Sequence, residues 1–321
     1  MEIAKDIFFY RGRSGEKIRP GAGSANVTVV RGDSLAMIDT GVRSGGAFRE
    51  LQYRIVADNL NLNDVRWILH THCHWDHLNA DSEIIKRSGA PIGAGEADIP
   101  FIENGEKNFT GFIKDFGDLA SEVFPYPMMV ARFLVWLAWG KQPQLSVERA
   151  LTDGDCIDIG RRIEVVSLPG HTRGHMGYFI HDAGVLILGD LIDFENSQGM
   201  DLNNPYSDYH SALQSLERAM GLNPEVIIPG HGEPTRGRRE VRAVLEKALE
   251  GGRDYPRQIA GALEKHPVRL KELTYRLFPD IPFSMEAMTM MLTLTVLLSM
   301  ERSGDVMRGT VAGHPAWMRK S

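Results

Sequence analysis

The stretch Ile68-Leu69-His70-Thr71-His72-Cys73-His74-Trp75-Asp76-His77 closes an apolar segment with imidazoles and a carboxylate at the spacing of metal ligands. Residues two apart on an extended segment point the same way, so His72 and His74 can bind one ion. Asp76 and His77 follow after the chain turns and can bind a second ion. A polar surface loop is the alternative, but such clustered groups would repel one another and resist desolvation without a cation. The stretch therefore predicts a dinuclear metal site.

Three later segments supply further candidate ligands, since each catalytic ion needs about three protein ligands and an open position for water. Each segment is an apolar, strand-like run that stops at a glycine or proline turn and is followed by a ligand-type side chain. The candidates are His171 after the run Ile163 to Leu168, Asp190 after Val185 to Leu188, and His231 after Val226 to Ile228. A single His or Asp at a strand end is usually a surface or capping residue, whereas four such motifs in this order are specific.

With these motifs the chain resembles the metallo-β-lactamase superfamily, whose signature runs Asp, then H-x-H-x-D-H, then His, Asp and His. Asp39, in the segment Leu35 to Gly41, matches the first Asp, and the resemblance covers roughly residues 20 to 235. It implies one metal held by His72, His74 and His171, a second held by Asp76, His77 and His231, and Asp190 as the bridge between them. Asp76 and Asp190 stand where true β-lactamases typically differ, so the pattern is closer to the glyoxalase II, lactonase, thioesterase and ribonuclease branch.

Several residues near these motifs are expected to support the site without binding a metal. In the family, the residue matching Asp39 supports the site from behind the ligands, and His175, four residues after His171, is expected to hydrogen-bond a ligand in a similar way. His70 lies two residues before His72, so its side chain can share the ligand face of the extended segment. A structural role is nevertheless the favoured interpretation. Cys73, on the alternate side of that segment, is expected to be a packed or supporting thiol and not a metal ligand.

Periodicity predicts an α/β (α+β) fold in which two sheets pack face to face and helices cover both outer faces. The first half contains a hairpin of Asn26 to Val30 with Ser34 to Asp39, a helix at Ala47 to Asn59, a strand at Asp64 to Leu69 and a helix at Leu78 to Arg87. The second half contains strands at Arg162 to Ser167, Met176 to Ile180, Val185 to Leu188 and Glu225 to Ile228, with a helix at Tyr209 to Met220. This is the αββα sandwich that the family resemblance also implies, with the metals at one edge of the sheets.

Residues 99–148 form a long excursion between the first two metal motifs, and long excursions in compact domains are usually functional. The apolar core Phe124 to Trp139 is shorter than the roughly 20 residues of a membrane span, begins with prolines and contains Arg132, so we expect no transmembrane helix. An ordinary buried helix, a lid or wall over an apolar substrate pocket, and a contact in a homodimer or on a membrane surface are all consistent with it. As a pocket wall it would contribute Phe124, Tyr126, Phe133 and Trp136.

After the last metal motif the composition changes, which predicts a catalytic domain at 1–237 and a small domain at 238–321. A charged helix at Arg236 to Glu250 ends at Gly251-Gly252, helical spacing returns at Gln258 to Leu263, Leu270 to Leu277 and Met285 to Met300, and Val306 to Gly313 can form a hairpin. This ending resembles the winged-helix-like C-terminal domain of a β-lactamase-like subfamily that includes endoribonucleases and polyketide thioesterases. That subfamily often carries a His in the segment matching Thr295 to Ser299, where this chain has none.

The composition of the 321 residues, 43% hydrophobic and 24% charged, is typical of a globular enzyme. Two cysteines, Cys73 and Cys156, cannot build a disulfide framework, and the N-terminus lacks the apolar core of a secretory signal, so we expect a cytoplasmic protein. Zinc is the expected metal for these His and Asp ligands, and iron or manganese would also suit them.

Two divalent ions about 3.5–4 Å apart would lower the pKa of a bound water toward about 7, so that a metal-bound hydroxide could attack an electrophilic carbonyl or phosphorus. The favoured function is hydrolysis of a small ester, thioester or lactone with an apolar acyl part, with Asp76 and Asp190 as catalytic carboxylates. The insertion is apolar, and the net charge of −6 does not favour a polyanion.

The alternative function is that of a metal-dependent endoribonuclease or phosphodiesterase. Its binding surface would need clustered Lys and Arg, and Arg236-Gly237-Arg238-Arg239, the only tight basic cluster, is better explained as a solvated helix start. A structural or redox metal centre is a third class. Oxygen-reducing diiron relatives replace the second His of the first motif by Glu, and His74 argues against that class.

Overall fold

A computed structural model of the protein describes residues 1–12, 24–43, 46–105, 107, 116–123, 129–130, 133, 144–194, 199–202, 206–263, 265–282 and 285–320. Within these residues the chain forms two large β-sheets, a small third sheet and helices around them. The helices are α1 (Ala47–Ala57), α2 (Trp75–Leu78), α3 (Asp81–Ser88), α4 (Ile99–Glu103), α5 (Asp118–Val123), α6 (Tyr209–Gly221), α7 (Arg238–Ala262), α8 (Leu270–Leu277) and α9 (Glu286–Ser303).

The first sheet has seven strands, which lie side by side in the order in which they occur along the chain. They are β1 (Glu2–Ala4), β2 (Ile7–Tyr10), β3 (Val27–Arg31), β4 (Leu35–Ile38), β5 (Val65–Leu69), β6 (Ile92–Gly95) and β7 (Arg149–Leu151). The antiparallel pairing of β3 with β4, from Arg31↔Leu35 to Thr28↔Ile38, confirms the predicted hairpin. From β4 to β7 the strands are parallel, so their C-terminal ends meet at one edge of the sheet.

The second sheet consists of β8 (Cys156–Asp158), β9 (Arg162–Ser167), β10 (Met176–Ile180), β11 (Val185–Gly189), β12 (Val226–Pro229) and β13 (Thr235–Arg236). Their order across the sheet is β13-β12-β11-β10-β9-β8. Both β9 and β11 are antiparallel to β10, and β12 is parallel to β11. The C-terminal ends of β9, β11 and β12 therefore also share one edge.

Apolar side chains from both sheets fill the space between them as one buried cluster. It includes Phe9, Ile38 and Leu69 of the first sheet and Val165, Tyr178 and Ile187 of the second. Burial of each large apolar side chain contributes roughly 1.5–3 kcal/mol, so this interface is a major source of stability. The outer face of the first sheet packs against α1 and α3, and that of the second against α6 and α7. This layering confirms the predicted αββα sandwich.

The structure corrects the predicted helix at Leu78 to Arg87, which is two helices, α2 and α3. In an uninterrupted helix the carbonyl of His77 would accept from the N–H of Asp81. Here that carbonyl accepts from the N–H groups of Thr40, at 2.6 Å, and Gly41, at 3.2 Å, in the loop after β4. The loop therefore ends α2 and holds it beside the first sheet.

The structure also corrects the helix break predicted at Gly251-Gly252, because α7 runs through it. Gly252 is buried, and a Cβ there would lie 2.6 Å from Cε of Met200, so glycine permits a close approach. Pro256 within the helix offers no N–H to the carbonyl of Gly252. The hydroxyl of Tyr209 on α6 donates to that carbonyl at 3.1 Å instead. A tertiary contact thus replaces the missing helical hydrogen bond.

The C-terminal residues form α7, α8 and α9 together with a sheet of β14 (Val268–Arg269), β15 (Val306–Val311) and β16 (His314–Arg319). A hairpin is present, as predicted, but its bounds are corrected: the predicted range Val306 to Gly313 contains only β15 and the turn, and the second strand, β16, begins at His314. The winged-helix resemblance and the division at residue 237 stay predictions. Among the described residues, no helix has the length and apolar character needed to cross a bilayer.

Candidate metal centre

All seven predicted ligands meet at one edge of the sandwich. The strand β5 leads into the loop and short helix that carry residues 72 to 77, while β9, β11 and β12 lead into the turns that carry His171, Asp190 and His231. Ligand atoms of His72, His74, His171 and Asp190 lie within 4.8 Å of one another, and so do those of Asp76, His77 and His231. Segments far apart in the sequence thus form two groups of ligand atoms.

Asp190 faces both groups. Its Oδ2 atom is 3.3 Å from Nε2 of His77 and 3.4 Å from Nε2 of His231, in one group. The same atom is 3.8 Å from Nε2 of His72 and 3.9 Å from Nε2 of His171, in the other. One oxygen of Asp190 therefore lies near imidazoles of both groups, and the bridging role that the family resemblance implies stays a prediction. A Cβ on Gly230 would lie 1.8 Å from Oδ1 of Asp190, so only glycine fits beside it.

Hydrogen bonds from behind determine which ring nitrogen His72 and His77 present to the site. Asp39 accepts from the hydroxyl of Thr71, at 2.7 Å, and from Nδ1 of His77, at 2.8 Å. The Thr71 oxygen in turn accepts from Nδ1 of His72 at 3.0 Å. With both Nδ1 atoms held by these oxygens, Nε2 is the nitrogen that each ring directs toward the site. Asp39 has a left-handed φ of 55°, uncommon for a residue other than glycine, and these contacts hold it there.

His171 and Asp190 are supported in the same manner. Nδ1 of His171 is 3.0 Å from the carbonyl oxygen of Asp201 and 3.3 Å from its Oδ1, which directs Nε2 of His171 into the site. Nε2 of His175 accepts from the N–H of Asp190 at 3.1 Å, and among the described residues His175 belongs to neither ligand group. This contact is the one expected of a supporting histidine. Sequence patterns did not indicate Asp201 or Thr71.

The donor set fits divalent metal ions. Within the described part of the chain, the buried atoms Nε2 of His72, Nε2 of His77 and Oδ1 of Asp190 make no hydrogen bond. A buried polar atom without a partner costs about 1–3 kcal/mol, and His72 and His77 direct these atoms toward Asp190. Imidazole nitrogens and carboxylate oxygens are the donors that proteins use for zinc and related divalent ions.

Mutual electrostatic effects keep both carboxylates of the site ionised. Burial raises the pKa of Asp190, but the adjacent imidazoles of His231 and His77 lower it well below its usual value. Burial likewise raises the pKa of Asp76, but the same imidazoles lower that pKa by more, so it lies below its usual value. Burial lowers the pKa of His77, yet the carboxylates around it raise that pKa to about 10. A metal ion that binds Nε2 of His77 must therefore displace a proton.

Asp98 is a further residue of the site that the sequence patterns did not indicate. Its buried carboxylate accepts from the hydroxyl of Thr172, at 2.6 Å, and from the N–H of Gly174, at 2.9 Å. It also accepts from the N–H of Cys73 at 3.1 Å. One side chain thus joins the loop of His171 to the loop of His72 and His74. Its position, three residues beyond the end of β6 at the same sheet edge, is the signal that could have found it.

His70 and Cys73 are both buried, and among the described residues they belong to neither ligand group. His70 is fully buried, with Nε2 2.8 Å from Oδ2 of Asp81 and Nδ1 3.5 Å from Oδ1 of Asp39, and it lies outside both ligand groups. Cys73 is buried in a small cluster with Leu78, Ala94 and Ile102. Of the predicted pocket residues, Phe133 is 55% exposed. Phe124, Tyr126 and Trp136 lie outside the described residues, and the pocket role of all four stays a prediction.

Comparisons with known proteins identify the family of the chain and the proteins whose fold it resembles. Residues 20–231 match the family model described as the metallo-beta-lactamase superfamily. The chain is 28% identical over 272 residues to a probable metallo-hydrolase of Bacillus subtilis, YqjP, covering 81% of this chain and 82% of that protein. It is also 28% identical over 211 residues to hydroxyacylglutathione hydrolase GloC of Haemophilus influenzae, covering 62% and 82%. The fold is similar to that of TTHA1429, a metallo-beta-lactamase family protein of Thermus thermophilus, with a TM-score of 0.79, 22% identity, and coverage of 99% and 100%.

Proposed function

The chain belongs to the metallo-beta-lactamase superfamily and is a metal-dependent hydrolase, and we propose that it cleaves an ester, thioester or lactone with an apolar acyl part. The observation that supports a dinuclear hydrolytic centre is the place of Asp190, whose Oδ2 lies 3.3 to 3.9 Å from imidazoles of both ligand groups. The similarity to a hydroxyacylglutathione hydrolase supports an acyl substrate.

The proposed ligands are His72, His74 and His171 for one ion and Asp76, His77 and His231 for the other, with Asp190 between them. We propose zinc as the metal, because neutral imidazoles and carboxylates in small groups suit it. When bound, such ions lower the pKa of a coordinated water toward about 7 and polarise a substrate carbonyl.

The protein's own contribution is to hold and orient these groups. Asp76 and Asp190 are the proposed catalytic carboxylates, with side chains 19% and 6% exposed. Because the pKa of each is lowered by the adjacent imidazoles, both carboxylates are ionised and would be available to bind and orient the ions. Asp39 and His175 are the proposed supporting residues, since their hydrogen bonds hold His77 and Asp190 in place before substrate arrives.

Charge argues against the alternative of a nuclease. The chain has a net charge of −6, and Arg238 of the basic cluster at 236–239 pairs with Glu225 at 2.6 Å. Phosphate binding releases counterions and needs unpaired cations along the path of the polymer. An acyl substrate, recognised by apolar contact and by the metals, has no such requirement.

Salt dependence and a substrate panel test the proposal. Metal content would be measured first, and thioesters, esters, lactones, phosphodiesters and RNA would then be assayed with and without chelator. Acyl turnover should vary little between roughly 50 and 200 mM salt, and reversing charge at Arg236, Arg238 and Arg239 should have little effect, whereas a nuclease should lose affinity by orders of magnitude. His72→Ala is the control for metal dependence. Salt-sensitive RNA cleavage that this variant abolishes, with no acyl substrate hydrolysed, would overturn the proposal.

A further inference from the structure

The aromatic rings of Phe101, Phe116 and Tyr206 lie together beside the loop that carries His171 and form an aromatic cluster. The ring centroid of Tyr206 is 5.4 Å from that of Phe101 and 5.9 Å from that of Phe116. All three side chains are half-buried, so part of their apolar surface is accessible to a ligand. Phe101 and Phe116 belong to the insertion at 99–148, which the sequence predicts as a candidate wall of the substrate pocket.

Hydrogen bonds attach this cluster to the metal centre. Ser207, the neighbour of Tyr206, donates from its hydroxyl to the carbonyl of His171 at 2.9 Å. The N–H of Asp208 donates to the carbonyl of Gly170 at 2.7 Å. Phe101 lies on α4, which begins directly after Asp98. The carboxylate of Asp98 accepts hydrogen bonds from the loop of His171. The aromatic cluster is therefore held next to the ligand His171.

Arg173, two residues after His171, lies over this cluster. Its guanidinium carbon is 5.4 Å from the ring centroid of Tyr206, and its side chain is exposed. Among the described residues, no carboxylate forms an ion pair with Arg173. Exposed Arg66 likewise forms no ion pair with a described carboxylate, so what distinguishes Arg173 is its stacking on Tyr206 beside the loop of His171. Within the described part of the chain, Arg173 is thus a stacked cation beside the loop of His171 with no carboxylate partner.

We propose that Arg173 and the aromatic cluster form a binding subsite for substrates that carry a carboxylate on an apolar chain. The planar guanidinium offers paired N–H donors that match a carboxylate, and stacking on Tyr206 restricts its orientation. A single cation matches the single charge of a carboxylate better than the double charge of a phosphate. The apolar chain would contact Phe101 and Phe116. This proposal rests on the proposed function, because it assumes that the reacting carbonyl group of the substrate binds at the metals.

Binding of metal-chelating probes tests the subsite without turnover. The probes are alkyl hydroxamates of increasing chain length that end in a carboxylate, with the matching methyl esters as neutral controls. At one chain length, the metal-loaded wild type should bind the carboxylate about tenfold more tightly than the ester, because charge-assisted hydrogen bonds add to affinity. Arg173→Met should abolish this preference and leave the Kd of the ester unchanged. Arg66→Met, which removes an exposed arginine at the far end of β5, should keep it.

The outcomes of the binding experiment are distinct. Equal affinity for both probe types in the wild type, or a preference that persists in Arg173→Met, would overturn the subsite. Tighter binding of a matching phosphonate-ended probe would show that the cation serves a phosphate and not a carboxylate.

Turnover separates the subsite from the proposed function. For a thioester with a terminal carboxylate, Arg173→Met should lower kcat/KM about tenfold through KM, and Arg173→Lys should recover part of the loss. The methyl-ester analogue should lose much less than the carboxylate substrate. If the probes show the preference but no acyl substrate is hydrolysed, the proposed function fails and the subsite stands. If acyl substrates are hydrolysed without regard to the carboxylate, the subsite fails and the function stands.

Discussion

At the scale of single residues, the metal centre depends on side chains that bind no metal, and Asp98 is the clearest case. Its two carboxylate oxygens accept hydrogen bonds from Thr172, Gly174 and Cys73. In Asp98→Asn, the amide NH2 would face a donor and leave buried groups unpaired, at a cost of about 1–3 kcal/mol. Because the two ligand loops would then shift relative to each other, we expect metal affinity to fall about 10- to 100-fold, measured by competition with a chromophoric chelator.

Asp155→Asn is the matched control for Asp98→Asn. Asp155 accepts from the N–H of Thr152 at 2.9 Å and from its hydroxyl at 3.2 Å, but on an exposed turn. The same chemical change there should leave metal affinity unaltered. Equal affinities in Asp98→Asn and the wild type would mean that other contacts hold the two loops.

The ligands could be predicted from the sequence because each follows a strand, and strands of one sheet that run in the same direction bring their C-terminal ends to one edge. His171, Asp190 and His231 meet there for this reason. The sequence predicts Asp39 and His175 as supporting residues, but not Asp201 and Thr172, whose hydrogen bonds join distant segments. Asp98 and Thr172 are 74 residues apart, and Asp201 and His171 are 30 apart. No local pattern of residues reports such a contact.

At the scale of helices and strands, the interiors of the elements follow the sequence pattern and their ends follow tertiary contacts. The strands β9 and β10 have the predicted bounds, because alternating or continuous apolar residues define them. The end of α2 is decided by the loop after β4, and the continuity of α7 by Tyr209 on another helix. These contacts exist only in the folded chain.

Tyr209→Phe tests how α7 continues past its proline. The change removes the hydroxyl that donates to the carbonyl of Gly252 and leaves that buried carbonyl without a partner, so the free energy of unfolding should fall by about 1–2 kcal/mol. Pro256→Ala restores a helical N–H to the same carbonyl. In the Pro256→Ala background, the cost of Tyr209→Phe should therefore be much smaller. Urea unfolding of the four proteins gives the coupling, and additive effects would exclude this explanation.

Asp208 caps α6 and gives the protein a pH-dependent contribution to stability. It accepts from the N–H of Ser211 at 2.8 Å, and Arg302 of α9 lies 3.3 Å away. Burial raises the pKa of Asp208, but these partners lower it further than burial raises it. Because the folded pKa is depressed, the stabilisation is present above the unfolded pKa and is lost as the pH falls through the folded pKa.

Asp208→Asn isolates this charge, since asparagine is also a good helix cap. The stability difference between the wild type and Asp208→Asn should be largest near neutral pH and should shrink in acid. Asp208→Ala, which removes the cap itself, should be less stable than Asp208→Asn across the range. A difference between wild type and Asp208→Asn that does not vary with pH in urea unfolding would contradict the assignment.

At the scale of the whole molecule, helix α5 of the insertion packs against the C-terminal region. Glu122 of α5, with a side chain only 3% exposed, accepts from Arg269 at 2.9 Å, and Nδ1 of His314 lies 2.7 Å from its Oε1. Thr295 of α9 donates to the carbonyl of Leu202, the neighbour of Asp201. The C-terminal region therefore lies within reach of the residue that orients His171.

Removal of the metals should destabilise the molecule without unfolding it. The ligand groups cluster buried imidazoles and ionised carboxylates with unpaired atoms at their centre, whereas the apolar core between the sheets includes no metal ligand. Metal analysis should approach two ions per chain. A ligand that binds only the folded state adds stability in proportion to the logarithm of its concentration over Kd, so chelation should lower Tm. The far-ultraviolet circular dichroism should be retained. Asp190→Ala should lose at least one ion and respond less to chelator. A fully active wild type with one ion per chain would rule out a dinuclear centre, and an unchanged Tm after both ions are removed would show that the metals do not stabilise the fold.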